Sequence, residues 1–460
     1  MSYAAALDSL HARVGELHAA PPGQPRRKFR LEEMRTLVEA LGHPERRFRS
    51  ILIAGTNGKG STAATLASIL QSAGIRTGLY TSPHLARVNE RIRINGEPIS
   101  DNDFARHYFR VDDCANQLVT EGELPASPSF FEALTALAFE AFAEAQIDIA
   151  VLEVGMGGRL DATNVVEPLL SVITDISLDH TEWLGATVTL IAREKAGILR
   201  RNGILVTLPQ HPEANQAIGE VADALDVRGV NAAEYVPAAL RSVSNDQQQH
   251  GALHNTYSLQ VQGEIIEVDS PLAGDHQRRN IALAIAAAVE LRTHFGCNIT
   301  PTQIADGIRR AQWPGRLERF AVPGRADVLL DVAHNPAGIW TLRAALSALE
   351  PAYPSPCILV FGCMKDKAFE EMAQILFPLF DRVIVTPVAS PRSATADELL
   401  QVAAKTGVPA MAAADGCEAL ERAWTAAPKD GLVVVAGSVY LVGEVRQILA
   451  LQAAAGAAAP

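Results

Sequence analysis

Residues 51–62 read Ile51-Leu52-Ile53-Ala54-Gly55-Thr56-Asn57-Gly58-Lys59-Gly60-Ser61-Thr62, an apolar strand that runs into a glycine-rich turn and then into the helix-forming residues 63–71. Glycines in the turn let backbone N–H groups converge on an anion, the helix adds its positive end, and a lysine reaches the terminal phosphates. The segment predicts a nucleoside triphosphate site, in preference to a turn whose glycines serve only its geometry. The predicted nucleotide-binding residues are Gly55, Thr56, Asn57, Gly58, Lys59, Gly60 and Ser61.

This loop departs from the usual P-loop pattern, G-x-x-x-x-G-K-[ST], at two positions. Ile53 stands six residues before the lysine, where the pattern has glycine, and Gly60 is inserted between Lys59 and Ser61. The prediction therefore rests on context, a strand before the loop and a helix after it.

Short apolar runs recur along the chain at intervals that leave room for helices, which is typical of parallel α/β sheets. They lie at 51–54, 149–154, 170–174, 204–208, 328–332, 358–361, 382–386 and 432–436. A polar stretch at 242–270 with alternation at 257–261 and 264–268 predicts a small β-ribbon insertion, and Trp313-Pro314-Gly315 punctuates the chain before the second group of strands. We expect a P-loop ATPase domain with a parallel sheet at 1–312 and a Rossmann-like α/β domain at 313–460.

Composition excludes several classes of protein. With 40 Lys+Arg against 52 Asp+Glu the net charge is −12, which argues against nucleic-acid binding. No apolar run approaches the roughly 18–20 residues of a membrane span, and the N-terminus lacks the pattern of a secretory signal. The five cysteines form no C-x-x-C pair. We expect a cytoplasmic protein that does not interact with membranes and has reduced thiols.

Two polar residues follow predicted strands where ligands of α/β proteins bind. Glu153 ends the strand at 149–154, and His180 comes shortly after the one at 170–174. From these residues alone, Glu153 is equally a helix cap or a surface acid, and a lone histidine is more often structural.

The chain resembles the folylpolyglutamate synthases and dihydrofolate synthases, relatives of the Mur peptidoglycan ligases, in the loop G-T-N-G-K-G-S and in eight further segments in family order. These are TSPHL at 81–85, NERI at 89–92, SFFE at 129–132, LEVGMGGRLDATN at 152–164, LDHT at 178–181, REKAGI at 193–198, WPGRLE at 313–318 and DVAHNP at 331–336. The resemblance implies a Mur-ligase-like ATP-binding domain followed by a glutamate-ligase domain. It also implies ATP-dependent joining of a pteroate or folate carboxylate to the amine of glutamate, by way of an acyl phosphate.

The resemblance also implies roles for residues whose types alone leave them open. Arg316 reaches the ATP phosphates, Asp331 binds ribose, His334 a terminal phosphate, and Asn280 lies near the adenine. Without the resemblance, Arg316 is an interdomain ion pair and Asn335 with Pro336 a helix entry, the latter compatible with a role for His334.

Ser82, Glu153 and His180 match the family's Mg²⁺ ligands, although magnesium usually prefers oxygen. Lys195 is otherwise a solvated lysine near a helix C-terminus. The family places it in the active site, where burial and neighbouring cations lower a lysine pKa and leave an amine able to take up carbon dioxide. We expect Lys195 to be carboxylated and, with Lys59, Arg316 and His334, to take part in catalysis.

For the substrate site we expect contributions from two aromatic residues and several polar ones, although a phenylalanine pair is more often core. The candidates are Arg91, Phe130, Phe131, Arg159, Asp161 and Ser438. The expected partners are dihydropteroate or a folate, glutamate and ATP, with the protein acting as a monomer.

Two rivals remain to be tested against this interpretation. A Mur-type ligase acting on a nucleotide-linked peptide is disfavoured by Gly60 and by the TSPHL and ERI segments. A nucleotide-hydrolysing switch leaves the WPGR and DVAHNP motifs unexplained. The sequence leaves open whether dihydropteroate, reduced folates or both are accepted, and how many glutamates are added.

Overall fold

The computed structural model describes residues 2–13, 30–237, 254–349 and 355–457. Its α-helices are α1 (Tyr3–His11), α2 (Leu31–Ala40), α3 (Lys59–Ser72), α4 (Asp101–Glu121), α5 (Phe130–Glu144), α6 (Thr181–Leu184), α7 (Val188–Ala196), α8 (Pro212–Ala224), α9 (Asp275–Phe295), α10 (Pro301–Arg310), α11 (Pro336–Leu349), α12 (Phe369–Leu376), α13 (Ala396–Thr406), α14 (Gly416–Ala426) and α15 (Val439–Ala457). Its strands are β1 (Arg49–Ala54), β2 (Thr77–Tyr80), β3 (Ile92–Ile94), β4 (Glu97–Pro98), β5 (Ile149–Glu153), β6 (Pro168–Ile173), β7 (Ile204–Thr207), β8 (Arg228–Asn231), β9 (Asn255–Val261), β10 (Glu264–Ser270), β11 (Glu318–Phe320), β12 (Asp327–Leu330), β13 (Ile358–Phe361), β14 (Arg382–Val385), β15 (Ala410–Ala412) and β16 (Leu432–Ala436).

The first sheet has the order β4-β3-β2-β5-β1-β6-β7-β8, with parallel pairing from β2 to β8 and an antiparallel edge at β3 and β4. Strand β1 is apolar throughout because both faces of the sheet are covered. Leu52 and Ala54 pack with α1, α2, α4 and α5, whereas Ile51 and Ile53 pack with α3, α9 and α10. The carboxyl end of this central strand therefore delivers the glycine-rich loop to the edge of the sheet.

The β-ribbon predicted within 242–270 is confirmed for its strands, since β9 and β10 pair antiparallel. Residues 242–253 of that prediction lie outside the described residues. The ribbon packs through its buried alternate residues onto the same core as α10. It therefore packs against α9 and α10, the helices on one face of the first sheet.

The second sheet has the order β11-β12-β16-β13-β14-β15, all parallel except β11. Helices α11, α12 and α13 cover one face, and α14 and α15 cover the other. This is the Rossmann-like arrangement that the sequence predicts, and all eight predicted strands are present in the two sheets. Within the described ranges, no helix is long and apolar enough to cross a bilayer.

Candidate active site

A cavity of about 330 Å³ lies between the two sheets, and both contribute to its wall. The first sheet supplies the glycine-rich loop and the segments that follow β2, β5 and β6. The second supplies the segments that follow β12, β13 and β16. Glycine-rich loop residues and polar, charged or aromatic residues line this wall, among them Gly55, Thr56, Asn57, Gly58, Lys59, Gly60, Ser82, Arg91, Phe131, Glu153, Asp161, Asp179, His180, Lys195, Arg316, His334, Lys367, Arg392 and Ser438.

The glycine-rich loop is shaped by residues behind it. A side chain on Gly55 would meet Thr174 Oγ1 at 1.8 Å, and Gly58, with a φ of +88°, lies so close to Asn280 that an added Cβ would be 2.2 Å from its Oδ1. Helix α3 begins at Lys59, so the amides of its first turn lack helical partners. Lys59 Nζ donates to the carbonyl oxygens of Gly55 and Thr56, each at 3.2 Å. The loop therefore has the geometry of a phosphate cradle.

Gly60, the residue that departs from the usual pattern, lies under the indole of Trp313. An added Cβ would come within 2.7 Å of Trp313 Cζ2. Since Trp313 stands in the segment that joins the two sheets, this glycine lets the connection pack directly on the nucleotide loop. Among the other predicted loop residues, Ser61 is buried and its Oγ accepts a hydrogen bond from Gln277 Nε2 at 3.2 Å.

Asp331 and Arg316 lie at the same end of the β11–β12 pair, where Arg316 shortly precedes β11 and Asp331 directly follows β12. The Asp331 carboxylate accepts hydrogen bonds from the amides of Leu317 at 3.0 Å and Ala333 at 2.9 Å, so it fixes the segment that carries Arg316. Burial lowers the pKa of Arg316, and the charges of Asp331 and Glu153 oppose that shift. The structure thus brings Arg316 into the cavity wall, whereas Asp331 and Asn280 lie behind it.

The three predicted metal ligands all line the cavity. Burial raises the pKa of Glu153, and this carboxylate accepts one hydrogen bond, from Ser82 N at 3.1 Å. Burial likewise lowers the pKa of His180 to about 4, which leaves its imidazole neutral and able to act as a ligand. Within the described part of the chain, no group of three or more His, Cys, Asp and Glu side chains is placed to hold a metal ion. The third donor predicted here is the Ser82 hydroxyl, which is outside those residue types. A buried carboxylate, a hydroxyl and a neutral imidazole are donor types that suit a divalent cation.

Asp179 and Lys367 form an ion pair across the cavity that sequence reasoning did not assign. Lys367 Nζ lies 2.8 Å from Asp179 Oδ1, and Asn335 Nδ2 donates to Asp179 Oδ2 at 3.1 Å and to Asn57 Oδ1 at 3.1 Å. Burial favours the neutral acid, but His180, Lys367 and His334 outweigh burial and hold the pKa of Asp179 well below its usual range. These contacts tie the second sheet to the phosphate loop of the first.

Lys195 is buried on the last turn of α7, so the interpretation as a solvated lysine is wrong. Its Nζ donates to the Gly55 carbonyl oxygen at 2.6 Å. Burial and the charge of Lys59 lower its pKa to about 7. The predicted mixture of amine and ammonium therefore has a physical basis, and the carbamate itself stays a prediction.

The predicted substrate residues divide between the cavity wall and its supports. Arg91, Phe131, Asp161 and Ser438 line the cavity. Phe130 and Arg159 lie outside the wall: Phe130 packs against Arg91, and Arg159 pairs with Glu194 at 2.9 Å.

The carboxylate of Asp161 stabilises the loop that follows β5, in which it lies. It accepts hydrogen bonds from the amides of Met156 at 3.0 Å and Thr163 at 3.0 Å, which shape the glycine-rich turn between them. On the opposite side of the cavity, Ser438 precedes α15, and its Oγ accepts from Tyr440 N at 3.2 Å. Ser438 thus sits at a strand-to-helix turn of the kind that binds carboxylates.

Comparison with known proteins agrees with this architecture. The Mur ligase middle domain matches residues 53–288, and the Mur ligase, glutamate ligase domain matches residues 315–439. Folylpolyglutamate synthase of Lacticaseibacillus casei is 35% identical over 431 residues, which cover 90% of this chain and 93% of that protein. Dihydrofolate synthase/folylpolyglutamate synthase of Bacillus subtilis is 34% identical over 438 residues, covering 91% and 94%.

Solved structures give the same result over nearly the whole chain. Mycobacterium tuberculosis folylpolyglutamate synthase complexed with ADP superposes with a TM-score of 0.84 at 31% identity, covering 97% of this chain and 98% of that one. Escherichia coli FolC in complex with DHPP and ADP gives 0.80 at 29% identity, covering 98% of each. The chain therefore belongs to the folylpolyglutamate synthase/dihydrofolate synthase family of Mur-type ligases, and it is an ATP-dependent ligase.

Proposed function

We propose that this ligase joins L-glutamate to dihydropteroate, to folylpolyglutamates or to both, giving dihydrofolate and longer folylpolyglutamates. The observation that carries the proposal is one cavity whose wall combines a phosphate loop on the first sheet with Arg316, His334, Lys367 and Ser438 on the second. A site divided in this way suits a reaction that brings a nucleotide, an acid and an amine together. The names of the relatives, which are dihydrofolate and folylpolyglutamate synthases, support the choice of substrates.

The chemistry explains why the cavity is rich in cations. A carboxylate is a poor acyl donor, so its oxygen first attacks the γ-phosphorus of ATP and ADP leaves. The glutamate nitrogen then attacks the acyl carbon, phosphate leaves, and the nitrogen loses a proton. Both steps concentrate negative charge, which Lys59 and Arg316 are placed to neutralise.

In our proposal His334 acts at the terminal phosphate, to which only its protonated ring donates, or at the incoming amine, from which its neutral ring accepts. Burial lowers its pKa to about 4, so the imidazole is neutral. Its Nδ1 lies 2.9 Å from the Val332 carbonyl oxygen, which only accepts, so Nδ1 carries the hydrogen and Nε2 is left as an acceptor. Of the further nucleotide residues, Asp331 and Asn280 act in our proposal at the ribose and adenine ends, from their positions behind the wall.

Ser82, Glu153 and His180 would hold Mg²⁺, which supplies charge neutralisation at the phosphates when bound. We further propose that Lys195 carries a carbamate beside this group, and that Arg91, Phe130, Phe131, Arg159, Asp161 and Ser438 serve the acid and glutamate sites. The proposed domains are 1–312 and 313–460. All five cysteines are unpaired, and free thiols suit the reducing environment of the cytoplasm, where we propose that the protein acts. We also propose that it acts as a monomer.

The test is the release of ADP from ATP in the presence of Mg²⁺, with each substrate omitted in turn. We expect release only when glutamate and either dihydropteroate or a reduced folate are both present. ADP released without an acid or an amine would identify a nucleotide-hydrolysing switch instead, and release with a nucleotide-linked peptide would identify a Mur-type ligase. Supplying dihydropteroate and tetrahydrofolate separately decides whether the chain has one activity or two.

A further inference from the structure

Arg91 carries an unpartnered hydrogen-bond donor in the wall of the cavity. The residue is 6% exposed, and among the described residues its Nη1 has no hydrogen-bond partner. A buried guanidinium N–H without an acceptor is costly, so such a group signals an acceptor that a ligand brings. Since Arg91 also lines the cavity, a molecule bound there can supply the missing acceptor.

The other side of this guanidinium is held by His84. Arg91 Nε lies 2.9 Å from His84 Nδ1. Because a guanidinium nitrogen only donates, His84 Nδ1 must accept, and this fixes the imidazole as the tautomer with its hydrogen on Nε2. The bond sets the rotation of the guanidinium plane and with it the direction of Nη1.

An aromatic stack supports the same plane. The central carbon of the guanidinium lies 5.2 Å from the Phe130 ring centroid, and the ring of His11 stacks on Phe130 at 6.1 Å with an interplanar angle of 6°. Phe130 thus has a defined role although it lies outside the cavity wall. Arginine planes that are stacked and hydrogen-bonded are suited to carboxylate recognition.

We propose that His84 is a positioning residue that aims Arg91 Nη1 at a carboxylate oxygen of the pteroyl or folyl substrate. This inference rests on the proposed function and names a contact within it. The ligand chemistry is a carboxylate, which both the acid substrate and glutamate supply. We assign the acid substrate to Arg91 because this residue lies on the side of the cavity formed by the first sheet, with Phe131 and Glu153. The second carboxylate-binding turn, at Ser438, lies on the opposite side.

The test compares His84→Asn, whose side-chain oxygen can replace the Nδ1 acceptor, with His84→Leu, which removes it. We expect His84→Leu to raise KM for the acid by about 10- to 100-fold, the range for one charge-assisted hydrogen bond, while KM for ATP and glutamate stays within twofold. His84→Asn should remain within about fivefold of the wild type. Because His84 acts through Arg91, His84→Leu should have little further effect in an Arg91→Leu background.

Several results would overturn the proposal. These are additive effects in the double variant, equal impairment of the two His84 variants, or a rise in KM for glutamate or ATP in place of the acid. Melting curves of all variants separate these outcomes from loss of the fold. Equilibrium binding of the acid with a non-hydrolysable ATP analogue keeps the test independent of turnover. If the wild type binds the acid without ligating it, the proposed function is contradicted, and acid binding by the two His84 variants still tests the role of His84. If the wild type does not bind the acid, both the proposed function and the role of His84 are refuted.

Discussion

Carboxylation of Lys195 gives the sharpest prediction, and its magnitude follows from the pKa of about 7 that burial and Lys59 impose. At pH 7 about half of the Lys195 side chains are free amine, against about one in 2,500 for a solvated lysine of pKa ≈ 10.4. The amine is the form that reacts with carbon dioxide. At pH 7 the fraction of Lys195 in this form is therefore roughly a thousandfold larger than the fraction for a surface lysine. The resulting carbamate has two oxygens and exchanges a cation for an anion beside Lys59.

The assay is carbon-13 NMR of the protein after labelling with bicarbonate. We expect one carbamate resonance in the wild type, absent from Lys195→Ala and retained in Lys405→Ala, whose lysine is exposed and paired with Glu370. Lys195→Ala should also lose turnover, and small carboxylates such as acetate should restore part of it. A fully active, magnesium-loaded enzyme without the resonance would refute the reasoning.

The same pKa predicts how stability depends on pH in buffer depleted of carbon dioxide. Between about pH 7 and 10.5 the unfolded chain binds a proton at Lys195 that the folded chain has released. Stability therefore rises with pH in this window, relative to Lys195→Met, by at most about 1.4 kcal/mol per pH unit. Below pH 7 the difference between the two proteins should be constant. A difference that falls as the pH rises from 7 to 10 would show that the lysine is not a buried, destabilised cation.

Further predictions concern the loop and the ion pair across the cleft. Lys59→Ala should lower turnover by on the order of 10²–10³ with an unchanged melting curve; activity within threefold of the wild type, as expected for Lys405→Ala, would count against the nucleotide site. Gly60→Ala should cost about 1–3 kcal/mol of stability, since the new methyl group must displace the indole 2.7 Å away. Its control is Gly219→Ala, where nothing lies within 4 Å and the melting temperature should stay or rise; equal effects would dismiss the packing argument. Lys367→Met should raise KM for at least one substrate on the order of tenfold, the loss of one charged contact, because it breaks a contact between the two sheets; substrate KM values matching those of Lys405→Met would contradict this.

Local signals were sufficient for eight strands of the two sheets and for the loop. Each of these eight strands is a run of mainly apolar residues that both faces of a parallel sheet bury, a signal contained in about five consecutive positions. The short strands β2, β3, β4, β8, β11 and β15 were not predicted. Of these, β4, β8, β11 and β15 lie at sheet edges, where one side is unpaired and the apolar signal is weak.

The site was only partly predictable, since its contacts join residues far apart in the chain. Asp179 stood in a quoted motif without an assigned role, and Lys367 was in none, because each matters only through the other, 188 positions away. Arg159 was expected at the substrate; its guanidinium pairs with Glu194 outside the cavity wall, and a role at the substrate stays a prediction. No local pattern specifies which of two polar side chains a fold turns inward.

Residue order alone was therefore enough to identify the alternation of strands and helices, the phosphate loop and the family. These three features depend on residue spacing and on short motifs, which are present in the chain whether or not it is folded. Tertiary contacts were needed to show that Lys195 is buried against Gly55, that Trp313 packs on Gly60, and that Arg91 donates a hydrogen bond to His84. The physical reason is that burial and hydrogen bonding between distant segments set the charge and direction of a side chain, and both arise only when the two sheets pack together.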